Sequence, residues 1–413
     1  MGQGHSVPSL LHIVNNARNS LVIRGLTVYA EHGTLDGAGM IVERGVIREI
    51  LPDIRKKDLP DIETIHFPDT YNLIPGMIDM HIHGAAGADV MDASSEALQT
   101  ISNSLPAEGT TAFLATTMTE TPRRIEEALR SVREYVDLPR KMAGAEVLGV
   151  HMEGPFLSPE RKGAQRGDMI IPPDRDLFGR WQDLSGDLIK LVTVAPERTN
   201  DQEFVRYLKQ HGVIASVGHS VATYEETLAA IEAGCSHATH LYNAMAAIHH
   251  RAPGTVVAVL LDDRVTAELI VDGVHLHPAM IKLAFEIKGK EKLVLVTDAM
   301  RAKYLGDGSV ELGGQQVTVK AGEARLANGT LAGSVLKMNG AVKNIISFTA
   351  CSLEDAVKMT SENPARELAI FDRKGSIAEG KDADLVVLDE NYQAVLTLCR
   401  GRIAYRSDTN FYK

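Results

Sequence analysis

Residues 78–83 read Ile78-Asp79-Met80-His81-Ile82-His83, a short β-like run that ends in two imidazoles one residue apart. A strand period of two turns His81 and His83 to the same side, close enough to bind one ion, and turns Ile82 away. Seven further strand-like runs follow, at 111–116, 147–153, 189–194, 213–219, 237–240, 267–271 and 293–298. Between them lie amphipathic helical stretches such as 95–108, 123–135, 203–211, 223–233 and 279–288. Eight strand-like runs alternating with helices predict an α/β fold, a (β/α)8 TIM-like barrel rather than an open sheet.

The strand candidates repeatedly end in a side chain that can hold a metal: His81 and His83 on the first, Glu153 on the third, His219 on the fifth, His240 on the sixth and Asp298 on the eighth. In a parallel barrel the strand C-termini converge on one face, so these six residues are expected in a common mouth. A single His near a strand is more often a packing residue than a ligand. The conjunction of all six is what predicts metal binding. Imidazole and carboxylate without thiolate suit Zn2+, Fe2+ or Mn2+ and do not choose among them. Strand alternation places His237 on the face opposite His240, outside the site. His249, His250 and His277 read as loop residues. Glu153-Gly154-Pro155 ends its strand sharply. After His240, the backbone of Leu241-Tyr242-Asn243-Ala244-Met245 and the Asn243 amide are candidates to hold an anion, with Arg251 a few residues on.

Outside 75–368 the texture changes. Residues 20–74 carry short β-like runs (Leu21-Val22-Ile23, Leu26-Thr27-Val28-Tyr29, Gly39-Met40-Ile41-Val42), and 369–413 repeats the pattern with Leu385-Val386-Val387-Leu388 and Ala394-Val395-Leu396-Thr397-Leu398. The two flanks are expected to form one small β-sandwich domain, with 1–19 as a loose N-terminal extension. Gly-rich β texture over 306–333 reads as a hairpin insertion in the barrel.

The chain has 413 residues, with 43 Lys+Arg against 54 Asp+Glu and a formal charge of −11. That balance gives no global basic footprint for nucleic acid or an anionic membrane. No apolar run approaches a membrane span. Three separated cysteines, Cys235, Cys351 and Cys399, fit a reducing compartment and argue against a disulfide scaffold. With no secretory pattern at the N-terminus, the expected location is cytoplasmic. Met1-Gly2-Gln3-Gly4-His5-Ser6 matches the N-myristoylation pattern formally, but no second membrane signal follows it.

Several longer motifs carry a resemblance over nearly the whole chain: Pro75-Gly76-Met77-Ile78-Asp79-Met80-His81-Ile82-His83-Gly84, His151-Met152-Glu153-Gly154-Pro155-Phe156, Gly218-His219-Ser220, Thr239-His240-Leu241-Tyr242-Asn243-Ala244-Met245, Asp272-Gly273-Val274-His275 and Thr297-Asp298-Ala299-Met300. The sequence resembles the amidohydrolase superfamily and, within it, the N-acetylglucosamine-6-phosphate deacetylases. The resemblance implies metal on His81, His83, Glu153, His219 and His240, as two divalent ions per subunit, with Glu153 in the place that a carboxylated Lys takes in many other amidohydrolases. It implies Asp298 as catalytic carboxylate and further metal ligand, and His275 on the acetyl carbonyl. It also implies that Asn243, Ala244 and Arg251 contact the sugar phosphate, Arg251 being lent across a homodimer.

The implied reaction is hydrolysis of the acetamide of N-acetyl-D-glucosamine 6-phosphate to D-glucosamine 6-phosphate and acetate, in amino-sugar catabolism. Asp298 is expected to act as general base and then general acid. One departure stands out: where some relatives have a substrate-contacting His in Lys-Gly-Ala-His, this chain reads Lys162-Gly163-Ala164-Gln165. Gln165 can bond a sugar hydroxyl but cannot act as an acid, which bears on sugar contact and epimer preference. The alternatives are a deacetylase for the galacto epimer, an amidohydrolase acting on a cyclic amide, and a non-catalytic metal-binding barrel.

Overall fold

The computed structural model describes residues 20–52, 62–138 and 143–407. The N-terminal extension with its acylation-like pattern, and the last residues of the C-terminal flank, lie outside the described residues. Eight parallel strands form the central sheet in chain order: β1 (Met77–Ile82), β2 (Thr110–Thr117), β3 (Glu146–Glu153), β4 (Ile189–Val194), β5 (Ile214–Val217), β6 (His237–Ala238), β7 (Thr266–Ile270) and β8 (Leu293–Val296). The circle closes just past β8, where Ala299 bridges to Ile82 and the Asp298 N–H donates to the His81 carbonyl at 2.8 Å. The barrel's last hydrogen bonds are therefore made by site residues.

One α-helix follows each strand: Ser95–Ser104, Pro122–Asp137, Arg175–Ser185, Glu203–Gln210, Tyr224–Ala233, Gly254–Leu261, Pro278–Lys288 and Met338–Thr349. Pro122–Asp137 shows why these segments become helical. Thr121 caps its N-terminus, Pro122 occupies the first turn where no donor is needed, and Ile125, Ala128, Leu129 and Val132 form one buried stripe. The helix expected over 95–108 divides. Its α part ends at Ser104 and a 3-10 turn covers Leu105–Glu108, because Pro106 has no N–H to continue the ladder and Gly109 closes the turn at φ 87°.

Met80, Leu114, Leu191, Ile270, Val294 and Val296, drawn from β1, β2, β4, β7 and β8, form their own apolar cluster and fill the barrel interior. The site rests on this packed floor.

Both flanks enter one eight-stranded sheet, so they build a domain separate from the barrel. Asn72–Pro75 pairs antiparallel with Leu385–Leu388, joining the two ends of the chain. The core of this domain includes Ile23, Leu26, Met40, Ile47, Leu73, Leu385 and Leu396. Ser20–Ala30 changes partner midway, from Glu63–His66 to Asn72–Pro75. Gly25 makes that switch at φ 93°, where a Cβ would lie 2.4 Å from the His66 ring. The insertion is a three-stranded sheet (Gly308–Leu312, Gln315–Lys320, Glu323–Leu326) rather than a single hairpin. Ala321 and Gly322, both at positive φ, supply the second reversal. Gln315 bonds the Ala164 carbonyl and Gly313 sits beside Met118, which places the insertion against the loops after β2 and β3.

Candidate metal centre and active site

The register of β1 shifts between Asp79 and Ile82 relative to β2, a bulge beside the two imidazoles. Glu153 is the last residue of β3. His219, His240 and Asp298 each lie two residues past their strands and all have positive φ, at 47°, 32° and 47°. This left-handed backbone costs of order 1 kcal/mol or more for a non-glycine residue and persists only where its surroundings enforce it. Here the enforcement is visible in the backbone. Ser158 N–H holds the His219 carbonyl at 2.9 Å, and Ser334 N–H holds that of Asp298 at 2.7 Å.

All six expected ligands come together. Glu153 Oε1 lies 3.0 Å from His219 Nε2 and 3.0 Å from His240 Nε2. Its other oxygen, Oε2, lies 3.1 Å from His83 Nε2 and 3.6 Å from His81 Nε2. Asp298 Oδ1 stands 3.2 and 3.4 Å from the same two nitrogens. Two ligand groups thus share one wall: Glu153, His219 and His240 on one side, His81, His83 and Asp298 on the other.

Three imidazoles are oriented by acceptors behind them. The Nδ1–H groups of His81, His83 and His219 face Glu268 Oε2 at 2.9 Å, the Thr116 carbonyl at 3.3 Å and the Arg161 carbonyl at 2.7 Å. Each acceptor fixes the proton on Nδ1 and leaves an Nε2 lone pair facing inward. His81 Nε2 is fully buried with no hydrogen-bond partner. Lone pairs and two carboxylates converging on one volume repel unless a cation or extra protons sit among them, so this donor set fits a divalent ion.

Without an ion, protons take that role. Burial pushes His83 down, but Asp298 and Glu153 outweigh it and raise it to about 9. His81 is likewise raised against burial by Asp298, Glu268 and Glu153. The imidazoles in turn hold Glu153 well below the usual carboxylate range despite its burial, and lower Asp298.

Sequence reasoning missed two residues beneath this layer. Glu268, in β7, is fully buried and bonds His81 Nδ1, the His240 N–H at 2.9 Å and His237 Nε2 at 3.2 Å. A carboxylate inside Thr266-Ala267-Glu268-Leu269-Ile270, where every residue is buried, was the available signal. His151 precedes Glu153 by two, the same spacing as His81 and His83. Its ring packs edge-on to His81 at 4.5 Å and its Nε2 meets Thr193 Oγ1 at 2.8 Å. Burial and the neighbouring His81 hold it well below its ordinary value, so it is neutral. His237 stays outside the six-ligand cluster, but it is not turned away from it as alternation suggested: it lies one carboxylate from His81, between Glu268 and Glu367, which raise it to about 9 against burial.

Of the remaining expected residues, Gln165 touches the six-ligand cluster directly, through Glu153. His275 Nδ1 bonds Asp272 Oδ2 at 2.6 Å, and Asp272 Oδ1 accepts the Val274 and His275 N–H groups. Burial lowers His275, but Asp272 and then Asp298 raise it overall. Asn243 and Ala244 are half-buried. The Asn243 amide donates to the His240 carbonyl at 3.2 Å, and the Ala244 carbonyl accepts from Ser220 N–H at 3.1 Å. Arg251 is exposed, with Nη1 2.6 Å from His250 Nε2. Gln165 is buried with both amide atoms engaged: Oε1 accepts Thr119 N–H and Nε2 donates to Glu153 Oε2, each at 2.8 Å. His277 caps the helix Pro278–Lys288. Lys303 is buried against Glu108 at 2.6 Å, and Tyr304 donates to the same carboxylate.

The profile described as the amidohydrolase family matches residues 72–408. The chain is 48% identical over 389 residues to an N-acetylglucosamine-6-phosphate deacetylase of Bacillus subtilis (strain 168), covering 94% of this chain and 98% of that protein. It is 36% identical to an N-acetylgalactosamine-6-phosphate deacetylase of Escherichia coli O157:H7, with 93% and 99% covered. The crystal structure of N-acetylglucosamine-6-phosphate deacetylase from Pasteurella multocida superposes with a TM-score of 0.87 at 31% identity, covering 93% of this chain and 99% of that one. A mouth of shared histidine and carboxylate ligands on a closed (β/α)8 barrel, together with these matches, shows that the chain belongs to the amidohydrolase family and, within it, groups with the N-acetylglucosamine-6-phosphate deacetylases.

Proposed function

We propose that the chain hydrolyses the acetamide of N-acetyl-D-glucosamine 6-phosphate, releasing acetate and D-glucosamine 6-phosphate. The observation that carries this reading is the Glu153 carboxylate shared between two ligand groups, with Asp298 beside it. The names of the full-length relatives support the substrate. His81, His83, Glu153, His219, His240 and Asp298 would hold two divalent ions per subunit, of Zn2+, Fe2+ or Mn2+ character. A divalent ion held there supplies Lewis acidity, which makes water a usable nucleophile near neutral pH and polarises a carbonyl.

The protein's own groups do the rest. Asp298, with Oδ1 at 3.2 and 3.4 Å from the His83 and His81 nitrogens, stands where it would accept the proton of the attacking water. Returned to the nitrogen, that proton lets the amine leave. His275, fixed by Asp272, presents Nε2 as a donor to the acetyl oxygen. Asn243, the backbone at Ala244, and Arg251 orient the sugar phosphate, whose binding is remote from the bond that breaks. Because Arg251 is exposed in the single chain, we assign it to the mouth of a second copy in a homodimer. Among the described residues no helix is long and apolar enough to cross a membrane, and we place the enzyme in the cytoplasm. In this reading 75–368 carries the chemistry, and 20–74 with 369–413 forms the supporting domain.

A second reading, the galacto epimer as substrate, is favoured by the E. coli O157:H7 relative. The deciding experiment measures acetate release from both N-acetylhexosamine 6-phosphates by chelated and then metal-reconstituted protein, with metal counted per chain. Metal-restored release from the gluco substrate is expected. Release from the galacto substrate alone reassigns the epimer, and bound metal without acetate from either overturns the proposal.

A further inference from the structure

The carboxylate of Glu268 is an expensive occupant of a barrel interior, since an ion taken out of water must be compensated by donors aimed at it. Three donors are present. Oε2 receives the His81 Nδ1–H and the His240 backbone N–H, both at 2.9 Å, and Oε1 receives the His237 Nε2–H at 3.2 Å. The two donors on Oε2 come from different ligand groups: His81 stands with His83 and Asp298, His240 with Glu153 and His219.

Behind Glu268 the chain of contacts continues away from the mouth. His237 Nδ1 lies 3.3 Å from Glu367 Oε2, and Glu367 Oε1 accepts the Thr266 hydroxyl at 2.7 Å. His83 and His219 are backed by neutral backbone carbonyls, so His81 is the one of these three ligands backed by an anion. An anionic partner makes an imidazole a better electron donor to a metal and locks its tautomer.

We propose that Glu268, held by His237 and Glu367, is a positioning residue that sets the metal affinity of the His81, His83 and Asp298 group and ties its geometry to the neighbouring group through His240. The inference rests on the metal-binding reading of the site and is independent of the substrate. Among the described residues the His237 ring bonds Glu268 and Glu367 and none of the six ligands, so Glu268 is the link through which its substitution would act on the metal.

The test counts metal per chain during dialysis of the full-length protein against graded chelator, with Zn2+ as the probe ion and no sugar present. Wild type is expected to hold two ions. Glu268→Gln, which keeps the volume but removes the charge, is expected to release one ion at a 10- to 100-fold lower chelator strength, leaving the other nearly unchanged. His237→Leu is expected to move the same ion in the same direction, and His237→Gln, which can still donate to Oε1, to restore it. Thermal unfolding of the variants covers the case in which Glu268→Gln does not fold, because the two His237 variants still separate positioning from packing. Three outcomes overturn the proposal: a wild type that holds one ion, an unchanged release profile in Glu268→Gln, or equal behaviour of His237→Leu and His237→Gln. Failure of the deacetylase reading shows only in acetate release and leaves these counts intact.

Discussion

Gln165 Nε2 donates to Glu153 Oε2 at 2.8 Å, the same oxygen that His83 Nε2 approaches at 3.1 Å. The amide therefore holds one oxygen of the carboxylate shared by both ligand groups, and Thr119 N–H fixes which way the amide points. Gln165→Leu should cost roughly 10- to 100-fold in metal affinity, as loss of an outer partner of a ligand does. Chelator competition measures it. A raised KM with unchanged metal affinity would instead place Gln165 on the sugar.

Asp298→Asn keeps the shape of the side chain and its backbone bonds to His81 and Ser334, but removes the proton acceptor. Turnover should fall by about 10²- to 10⁴-fold, the usual worth of a positioned acid–base group. Steady-state acetate release with metal saturating checks this, and near-normal turnover would remove Asp298 from the mechanism.

Arg251→Ala should act on phosphorylated substrate alone. A charge-assisted bond is worth about 1.5–3 kcal/mol, so kcat/KM for N-acetylglucosamine 6-phosphate should drop roughly 10- to 100-fold. The much slower turnover of unphosphorylated N-acetylglucosamine should not change. Equal losses on both sugars would contradict phosphate recognition.

Acid stability should depend on Glu146, at the start of β3. Burial alone would raise this carboxyl, but Lys374 at 2.9 Å and Arg373 at 3.0 Å bring it down to about 2. A folded value below the unfolded one means that its stabilisation is complete above about pH 4.5 and is lost as the pH falls toward 2. The contribution is on the order of 3 kcal/mol. Urea midpoints at pH 7 and pH 3.5 should fall further in wild type than in Glu146→Gln, which starts less stable. Parallel acid slopes in the two proteins would exonerate the group.

The barrel and its ligands were legible because parallel strands bring their ends together, so His81, Glu153, His219, His240 and Asp298 could be placed by counting strand ends. What the count could not show is how three of them arrive. His219, His240 and Asp298 leave their strands through left-handed backbone, which alternation does not describe. Glu268 escaped because the run around it reads as an ordinary apolar strand, and a side chain's value as an outer partner depends on what lies across the barrel. His151 was hidden by the motif that contains it, its spacing matching a ligand pair while its ring turns to Thr193. The third strand of the insertion was missed because its reversal uses Ala321 with Gly322, a weaker turn signal than Gly313-Gly314.

The pairing of Asn72–Pro75 with Leu385–Leu388 also governs how the protein can be made. Leu385–Leu388 lies between Asn72–Pro75 and Ala394–Cys399, so it is an interior strand delivered only after the whole barrel has been made. At roughly 5–20 residues per second, the 300 or so residues between them take about 15 to 60 seconds to translate. Throughout that interval Asn72–Pro75 presents an open edge on a half-built sheet, the kind of surface on which nascent chains of neighbouring ribosomes can pair. The supporting domain is thus begun before the barrel and sealed after it, and a ribosome that stalls before residue 385 leaves Asn72–Pro75 as an unsealed β edge.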